Sequence, residues 1–286
     1  MAYDEDLTRV SLGRLKMEEL DGANILVAGA TGLIGSCVVD LLMNRNMGNY
    51  HVFALGRQAH RAHRLLSRYE SNPFFSFVSH DITSALQTDV DFHYIIHAAS
   101  TASPNLYARN PVEVLTANIC GVENLMEYGM KHSMRRFLYV SSGEVYGEGD
   151  GRVFSEDYSG YVNPLLVRSC YPTAKRAAEN LCISYGSEYG ADVVIARPCH
   201  VFGPYFTEDD HRVYAEFIRN VLRGEDIVMK SDGVQYQSWS YVVNCAAAVL
   251  YIMLNGKSSE AYNIADPDSA LAIRELAETI ADIGGK

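Results

Sequence analysis

The chain has 286 residues, of which 48% are hydrophobic and 21% charged, and its formal net charge is −11 at neutral pH. These values are typical of a globular protein with one large domain and an appendage, or with two unequal domains. The negative charge excludes nucleic acid and anionic lipid as general partners, because such a surface repels both.

The cysteines and the hydrophobic pattern bear on redox state and location. The six cysteines are scattered without a CxxC pair, which indicates reduced thiols rather than a zinc site or a disulfide framework. The first 21 residues are charged throughout and contain no apolar signal-peptide core. No run of about 18 apolar residues predicts a membrane span. We therefore expect a cytoplasmic protein without a membrane or metal partner.

Short apolar runs alternate with helical segments along the first two thirds of the chain. The predicted strands cover residues 24–30, 51–55, 75–78, 94–98, 136–142 and 192–196. The predicted helices cover residues 33–43, 111–132 and 172–189. This alternation is typical of βαβ units. It predicts the α/β class, with a Rossmann-type doubly wound parallel sheet in a first domain of residues 1–197.

The alternation breaks after Pro198. Residues 212–223 and 273–283 are predicted to be helical, and residues 260–264 form a short predicted strand. This pattern predicts a smaller C-terminal α/β domain of residues 198–286. A segment near residues 235–255 is expected to return to the first domain.

A glycine-rich turn follows the first predicted strand and opens the first predicted helix; it is Gly29-Ala30-Thr31-Gly32-Leu33-Ile34-Gly35. Glycines allow a tight turn and close approach of a pyrophosphate, and the helix N-terminus then offers free N–H groups. The turn predicts a dinucleotide site, with a purely packing role for the glycines as the alternative.

The end of the second strand bears on the choice between NAD and NADP. An acid there binds the ribose 2′-hydroxyl of NAD, whereas arginine accommodates the 2′-phosphate of NADP. This chain has Gly56-Arg57 at that point, with Arg61 and Arg64 behind it. Arg57 therefore favours NADP slightly, and a solvated basic helix face is the alternative. Asp81-Ile82, after the third strand, is a candidate for the adenine edge or for a simple loop cap.

Tyr171 and Lys175 stand four residues apart at a predicted helix start, with Pro172 suited to the first turn. This spacing places both side chains on one helix face. A nearby ammonium lowers a tyrosine pKa, so that the phenol can take a proton from a sugar hydroxyl while hydride leaves the same carbon. Ser141-Ser142, at the end of the fifth predicted strand, strengthens this pattern.

Nearly the whole chain resembles the extended short-chain dehydrogenases/reductases that remodel nucleotide sugars. It is most similar in appearance to UDP-glucuronate decarboxylases and related O-antigen sugar enzymes. The matching segments are residues 29–35, 81–82, 97–100, 110–111, 118, 141–147, 168–176 and 197–204. The resemblance implies a nucleotide-diphosphate sugar as substrate and NAD or NADP as cofactor. It also implies a homodimer formed through the helices near residues 111–132 and 172–189.

Roles for individual residues follow from this resemblance. Ser142 is expected to hydrogen-bond the reacting oxygen, Lys175 to hold the nicotinamide ribose, and Glu144 to work beside a 4-keto intermediate or to be a solvated loop carboxylate. His97 is expected to pack under the cofactor, and Arg168 to contact phosphate or to form a surface ion pair. Further cofactor contacts are implied for Thr31, Leu33, Ile34, Ala98, Ala99, Ser100, Asn118, Ser141 and Pro198. Further substrate contacts are implied for Thr101, Ser103, His200, Arg212 and Gln237.

Departures from the family pattern bear on the reaction. The 4,6-dehydratases carry an Asp-Glu pair where this chain has Gly143-Glu144, so the acid that protonates the leaving hydroxyl is missing. The decarboxylases carry an arginine at the position of Gln237, which cannot offer a charged bidentate donor. His200 replaces an asparagine. Relatives continue some tens of residues further, which implies an incomplete substrate lid.

The remaining chemistry needs only Tyr171, Ser142, Lys175 and a nicotinamide cofactor. It favours a 4-epimerase or a 4-keto reductase, with UDP-glucuronate decarboxylase or 4,6-dehydratase as alternatives. A cofactor-binding redox sensor or structural subunit without sugar turnover is an alternative of another class. Gln237 and His200 support that reading, and the intact Ser–Tyr–Lys set opposes it.

Overall fold

The computed structural model describes residues 2–10, 15–100, 104–206 and 210–285. The helices within these ranges are α1 Ala2–Arg9, α2 Leu33–Arg45, α3 Ala59–Leu66, α4 Pro104–Arg109, α5 Pro111–Lys131, α6 Cys170–Tyr189, α7 Val213–Arg223, α8 Val242–Asn255 and α9 Ile273–Ile283. The strands are β1 Asn24–Ala28, β2 His51–Gly56, β3 Phe75–Ser79, β4 Tyr94–His97, β5 Arg136–Val140, β6 Val193–Pro198, β7 His200–Phe202, β8 Tyr236–Tyr241, β9 Glu260–Ile264 and β10 Ala270–Ala272.

A seven-stranded sheet forms the centre of the molecule. Its strand order is β3-β2-β1-β4-β5-β6-β9, and every neighbouring pair is parallel. The order reverses between β1 and β4, and ligands bind outside the carboxyl ends of strands at such a switch point. The predicted Rossmann-type α/β fold is confirmed.

Helices cover both faces of this sheet, which explains why its strands are almost uniformly apolar. On one face α2 and α8 share a core with α1, and on the other α5 and α6 share a second core. α8 was not predicted as a helix because its residues are apolar nearly all round, which hides the helical period.

The C-terminal third contributes to both layers of the molecule. A second sheet has the order β10-β8-β7, and α7 and α9 pack beside it around Trp239 and Tyr214. The strand β9 lies instead in the main sheet beside β6, and α8 packs on α2. Within the described ranges, no helix is both long and apolar enough to cross a bilayer.

Candidate active site

The glycine turn lies at the carboxyl end of β1. Gly29 has a φ of 85°, and a β-carbon there would come within 2.6 Å of the Ala98 and Ala99 backbone. A β-carbon on Gly35 would come within 2.2 Å of the Gly29 carbonyl oxygen. These two glycines are therefore required for close packing of strand, turn and helix.

Gly32 differs from the other two glycines, because the nearest atom to a β-carbon there is the Gly29 oxygen at 3.3 Å. Gly32 is the N-cap of α2 and has no side chain to satisfy the first N–H groups of that helix. The neighbouring residues Thr31, Leu33 and Ile34 are partly exposed. The helix end is open, and Gly32 has no side chain that would keep a ligand away from it. Such a helix end can bind the pyrophosphate of a dinucleotide.

Polar groups beside the turn form a buried network at the ends of β4 and β5. The Asn118 amide donates to Ser100 Oγ (3.1 Å) and to the Val114 carbonyl (2.7 Å), and its oxygen accepts from the Tyr139 hydroxyl (2.8 Å). Among the described residues, the buried Ser141 hydroxyl has no hydrogen-bond partner. An orphaned hydroxyl at this edge of the sheet fits a bound polar ligand.

His97 lies fully buried beneath this network. Burial, together with the charge of Lys175, lowers the pKa of His97 to about 3. A β-carbon on Gly121 would come within 2.8 Å of His97 Nε2, so the ring fills space against α5. These features leave His97 uncharged at neutral pH, and its place under the cofactor stays a prediction.

The proton-transfer candidates meet where β5 ends. α6 begins at Cys170, so Tyr171 lies in its first turn and Lys175 one turn further on the same face. The Lys175 Nζ donates to the Val140 carbonyl (2.8 Å) and lies 5.7 Å from the centre of the Tyr171 ring. Ser142 is hydrogen-bonded to the Tyr171 side chain.

The pKa values of this pair differ from the sequence-based expectation. Burial raises the pKa of Tyr171 to about 12, although the hydrogen bond from Ser142 opposes that rise. Burial also lowers the pKa of Lys175 to about 7, against the attraction of Glu179. The expected lowering of the Tyr171 pKa by Lys175 is not seen, and desolvation by burial has the largest effect on the pKa of each group.

Tyr107 on α4 was not predicted from the sequence. Its ring stacks on Tyr171 with the centroids 4.7 Å apart and the planes inclined by 16°. The Arg168 guanidinium lies 4.8 Å from the centre of the Tyr107 ring, and it donates to both carboxylate oxygens of Glu144 (2.8 and 3.1 Å). The contacts link Glu144, Arg168 and Tyr107 in a row that ends on the catalytic candidate Tyr171.

The candidate substrate residues beyond β6 are only partly brought together. Arg212 is held by Asp210 (2.6 and 2.9 Å), by the Tyr214 hydroxyl (2.8 Å) and by the Val201 carbonyl. Its charge lowers the pKa of Tyr171, against the larger effect of burial.

The other substrate candidates lie on neighbouring strands or outside the described residues. His200 on β7 has its ring 5.3 Å from Trp239. Gln237 on β8 pairs with Leu271 of β10. Pro198 ends β6, and its carbonyl lies near Gly143. Thr101 and Ser103 lie outside the described residues.

The candidate cofactor residues at the end of β2 contact one another. Arg57 Nη1 is paired with Glu113 (2.6 Å) and lies 3.8 Å from Asp81, and about half of the Arg57 side chain stays exposed. Asp81 accepts from the Thr83 backbone and hydroxyl, which is the loop-cap arrangement. Ile82 is buried. The pairing with Glu113 had no local signal, because 56 residues separate the partners.

A doubly wound sheet with this glycine turn and this Ser–Tyr–Lys set defines a dinucleotide-dependent enzyme of the short-chain dehydrogenase/reductase class. A family model described as "NAD dependent epimerase/dehydratase family" matches residues 25–265. The chain belongs to that family.

Named relatives and solved structures are consistent with this membership. UDP-glucuronic acid decarboxylase 6 of Arabidopsis thaliana is 35% identical over 259 residues, which are 91% of this chain and 74% of the relative. A UDP-N-acetylglucosamine 4-epimerase from Methanobrevibacter ruminantium has a TM-score of 0.82 at 25% identity, covering 93% and 83% of the two chains. DesIV, a dTDP-glucose 4,6-dehydratase from Streptomyces venezuelae solved with NAD and TYD bound, has a TM-score of 0.80 at 25% identity, covering 92% and 81%.

Proposed function

We propose that the chain oxidises and re-reduces C4 of a nucleotide-diphosphate sugar. The observation that carries this proposal is the meeting of Ser142, Tyr171 and Lys175 at the carboxyl end of β5, on the edge of the sheet that also holds the glycine turn. Nicotinamide-dependent relatives that act on UDP- and dTDP-sugars support the same reading. The cofactor, when bound, supplies the hydride acceptor and donor.

The protein groups divide the proton chemistry among them. As the phenolate, Tyr171 takes the C4 hydroxyl proton and becomes the phenol, and it returns that proton when C4 is reduced again. The Ser142 hydroxyl favours the phenolate by donating to it. Lys175, held by the Val140 carbonyl, lies on the same side of the ring and contributes positive charge there in its protonated form. Tyr107 stacks on Tyr171 and limits rotation of the phenol. A positioned acid–base group of this kind contributes about 10²–10⁴-fold to rate.

The reaction we favour is 4-epimerisation, in which the hydride returns to C4, or the net reduction of a supplied 4-keto sugar by the reduced dinucleotide. Both need only Tyr171, Ser142 and Lys175. Gly143 stands where the dehydratases of this family carry an acid, and Gln237 stands where the decarboxylases carry an arginine. Glu144, the remaining acid, is engaged by Arg168.

Decarboxylation of UDP-glucuronate is the second candidate. It is favoured by the 35% identity to the plant UDP-glucuronic acid decarboxylases and by Glu144, whose charge acts on Tyr171. If the protein is a decarboxylase, Glu144 acts next to the 4-keto intermediate. The ion pair between Arg168 and Glu144 then has to break when substrate binds.

The test is incubation of the purified protein with UDP-glucose, UDP-N-acetylglucosamine or UDP-glucuronate and oxidised dinucleotide, and with a dTDP-4-keto sugar and reduced dinucleotide. NMR and mass spectrometry identify the products. A C4 epimer or a reduced 4-keto sugar supports the first candidate, and a pentose with release of carbon dioxide supports the second. Glu144→Gln should hardly change epimerisation or ketoreduction but should slow decarboxylation by about 10²-fold or more. Dinucleotide binding without turnover of any of these sugars would favour a sensor or structural role and contradict both candidates.

A further inference from the structure

A short 3₁₀ turn, Gly143–Tyr146, follows β5 and begins directly after Ser142. Ser142 is hydrogen-bonded to the Tyr171 side chain. Its Oγ atom also accepts from the Glu144 N–H (3.2 Å), which leaves the hydroxyl hydrogen free to donate to Tyr171. The position of this turn relative to α6 therefore decides whether Ser142 reaches the phenol.

Arg176 joins the turn to α6, the helix that carries Tyr171 and Lys175. Its Nε atom donates to the Val145 carbonyl (2.6 Å), and its Nη2 atom donates to the Gly160 carbonyl (2.8 Å). The guanidinium is planar, so the fixed angle between the two donors sets the relative position of both backbone segments. The residue that follows Lys175 thus holds the turn that follows β5.

The segment around Gly160 is itself bound to the turn. The Gly160 N–H donates to the Tyr146 carbonyl (2.8 Å). Gly147, which ends the turn, has a φ of 68°, and a β-carbon there would come within 2.5 Å of the Tyr161 carbonyl oxygen and 3.1 Å of Arg176 Nη2. The turn and the returning segment are therefore packed closely around one guanidinium.

We propose that Arg176 is a positioning residue for the reaction at C4, because it holds the turn against α6 so that Ser142 donates to Tyr171. Without Arg176, the carbonyl groups of Val145 and Gly160 lose their charged donor, and the turn is free to shift. A displacement of about 1 Å at a reacting group can cost about 10²-fold in rate. The inference rests on the proton transfer proposed above for Tyr171.

The experiment compares Arg176→Met, which keeps a long side chain without donors, with Arg176→Lys and with Arg152→Met. Arg152 is the matched control for the lost charge, because its side chain is 76% exposed and pairs with Asp150. On the sugar that the wild-type chain converts, Arg176→Met should lower kcat by about 10- to 100-fold and change KM by less than about threefold. Arg176→Lys should restore part of the loss, and Arg152→Met should stay within about twofold of the wild type.

Two kinetic readouts separate positioning from a loss of folded protein. If Arg176 acts through Ser142, the effects of Arg176→Met and Ser142→Ala are not additive, and the double variant is as slow as Ser142→Ala within about threefold. The hydrogen bond from Ser142 lowers the pKa of Tyr171, so its loss should move the rising limb of the pH–rate profile to higher pH in both single variants. The other groups around the phenol remain in every variant, namely Tyr107, Tyr139, Glu144, Arg168, Lys175 and Arg212.

Hydrogen exchange of residues 143–147, measured without sugar or cofactor, tests the contact itself. The N–H groups of Glu144, Val145 and Gly147 are bonded within the turn, and their exchange should quicken at least about tenfold in Arg176→Met but not in Arg152→Met. Unchanged exchange in Arg176→Met, or kcat losses that add fully with those of Ser142→Ala, would overturn the inference. A wild-type chain that converts none of the sugars would refute the proposed function and this inference with it, whereas an active wild type with full activity in Arg176→Met refutes the inference alone.

Discussion

The phenol of Tyr171 is positioned by contacts on several sides, and this arrangement leads to a first prediction. Tyr107 stacks on its ring and Ser142 hydrogen-bonds its side chain. Tyr171→Phe keeps the stacked ring but removes the proton acceptor. We expect turnover on the true substrate to fall about 10²–10⁴-fold, while the dissociation constant of the dinucleotide changes by no more than about twofold.

Steady-state kinetics and dinucleotide titration of the same preparations measure this difference. Lys175→Ala is the informative comparison, because it should weaken both turnover and cofactor binding. Full activity of Tyr171→Phe would refute the proposed mechanism.

Lys175 gives a second prediction at the residue scale, because a buried ammonium opposes folding. Its pKa is about 7 in the folded chain and has its ordinary value of 10.5 when exposed. Between these pH values the unfolded chain binds a proton that the folded chain does not. The contribution of Lys175 to the free energy of unfolding therefore rises with pH, by about 1.4 kcal/mol per unit, and is constant below this window.

Urea unfolding of the wild-type chain and of Lys175→Met between pH 6 and 9 isolates this contribution, since the other titrating groups cancel in the difference. Wild-type stability should rise relative to the variant above about pH 7. A difference that is flat or falls with pH would contradict the buried, deprotonating lysine.

At the scale of elements, the helix α1 was not predicted, yet three hydrogen bonds attach it to α2 and β8. The Tyr3 hydroxyl donates to the buried Asp40 of α2 (2.7 Å), and the Tyr241 hydroxyl of β8 donates to Asp6 (2.9 Å). The Arg45 guanidinium donates to the Thr8 carbonyl (2.8 Å) near the end of α1. The helix α1 therefore connects α2, which covers one face of the main sheet, with β8 of the smaller sheet.

Tyr3→Phe tests the importance of this attachment. The substitution keeps the ring but removes one donor from Asp40, whose other oxygen accepts from Tyr69 (3.0 Å). We expect the free energy of unfolding to fall by about 1–2 kcal/mol, because a buried carboxylate loses a hydrogen bond. Tyr161→Phe is the control, because Tyr161 is 60% exposed. It should change the free energy of unfolding by less than about 0.5 kcal/mol. Equal urea midpoints for both variants would show that the Asp40 contact contributes nothing.

The elements also show which features could be predicted from the sequence. The strands β1 to β6, the glycine turn and the Tyr171–Lys175 spacing are local patterns, and each was predicted within a few residues. The stacking of Tyr107 on Tyr171 and the pairing of Arg57 with Glu113 join residues far apart in the chain. Such pairs depend on how α4 and α5 pack over the sheet, and no local period or spacing encodes them. The placement of β9 beside β6 depends on the same tertiary packing.

At the scale of the whole molecule, the outer surface of α5 and α6 is the expected dimer interface. These helices pack on each other against the sheet. These helices keep several apolar side chains partly exposed, namely Ile119, Cys120, Met130 and Tyr189. A two-fold axis beside these helices would pair them with the same helices of a second copy.

Charge on this surface leads to the last prediction. Glu123, Glu127 and Glu188 surround Tyr185, and each raises its pKa electrostatically after the larger effect of burial. A two-fold interface brings these acids of both copies together, and each chain already has a net charge of −11. Dimerisation should therefore strengthen as salt screens the repulsion.

Sedimentation at micromolar concentration should show a dimer whose dissociation constant decreases by about tenfold between 0.02 and 0.5 M NaCl. Ile119→Glu adds a charge to the proposed interface at a partly exposed position and should give a monomer. Met47→Glu adds the same charge at an 88% exposed site after α2 and should leave the dimer intact. A monomer at every salt concentration, or an equal effect of both substitutions, would exclude α5 and α6 as the interface.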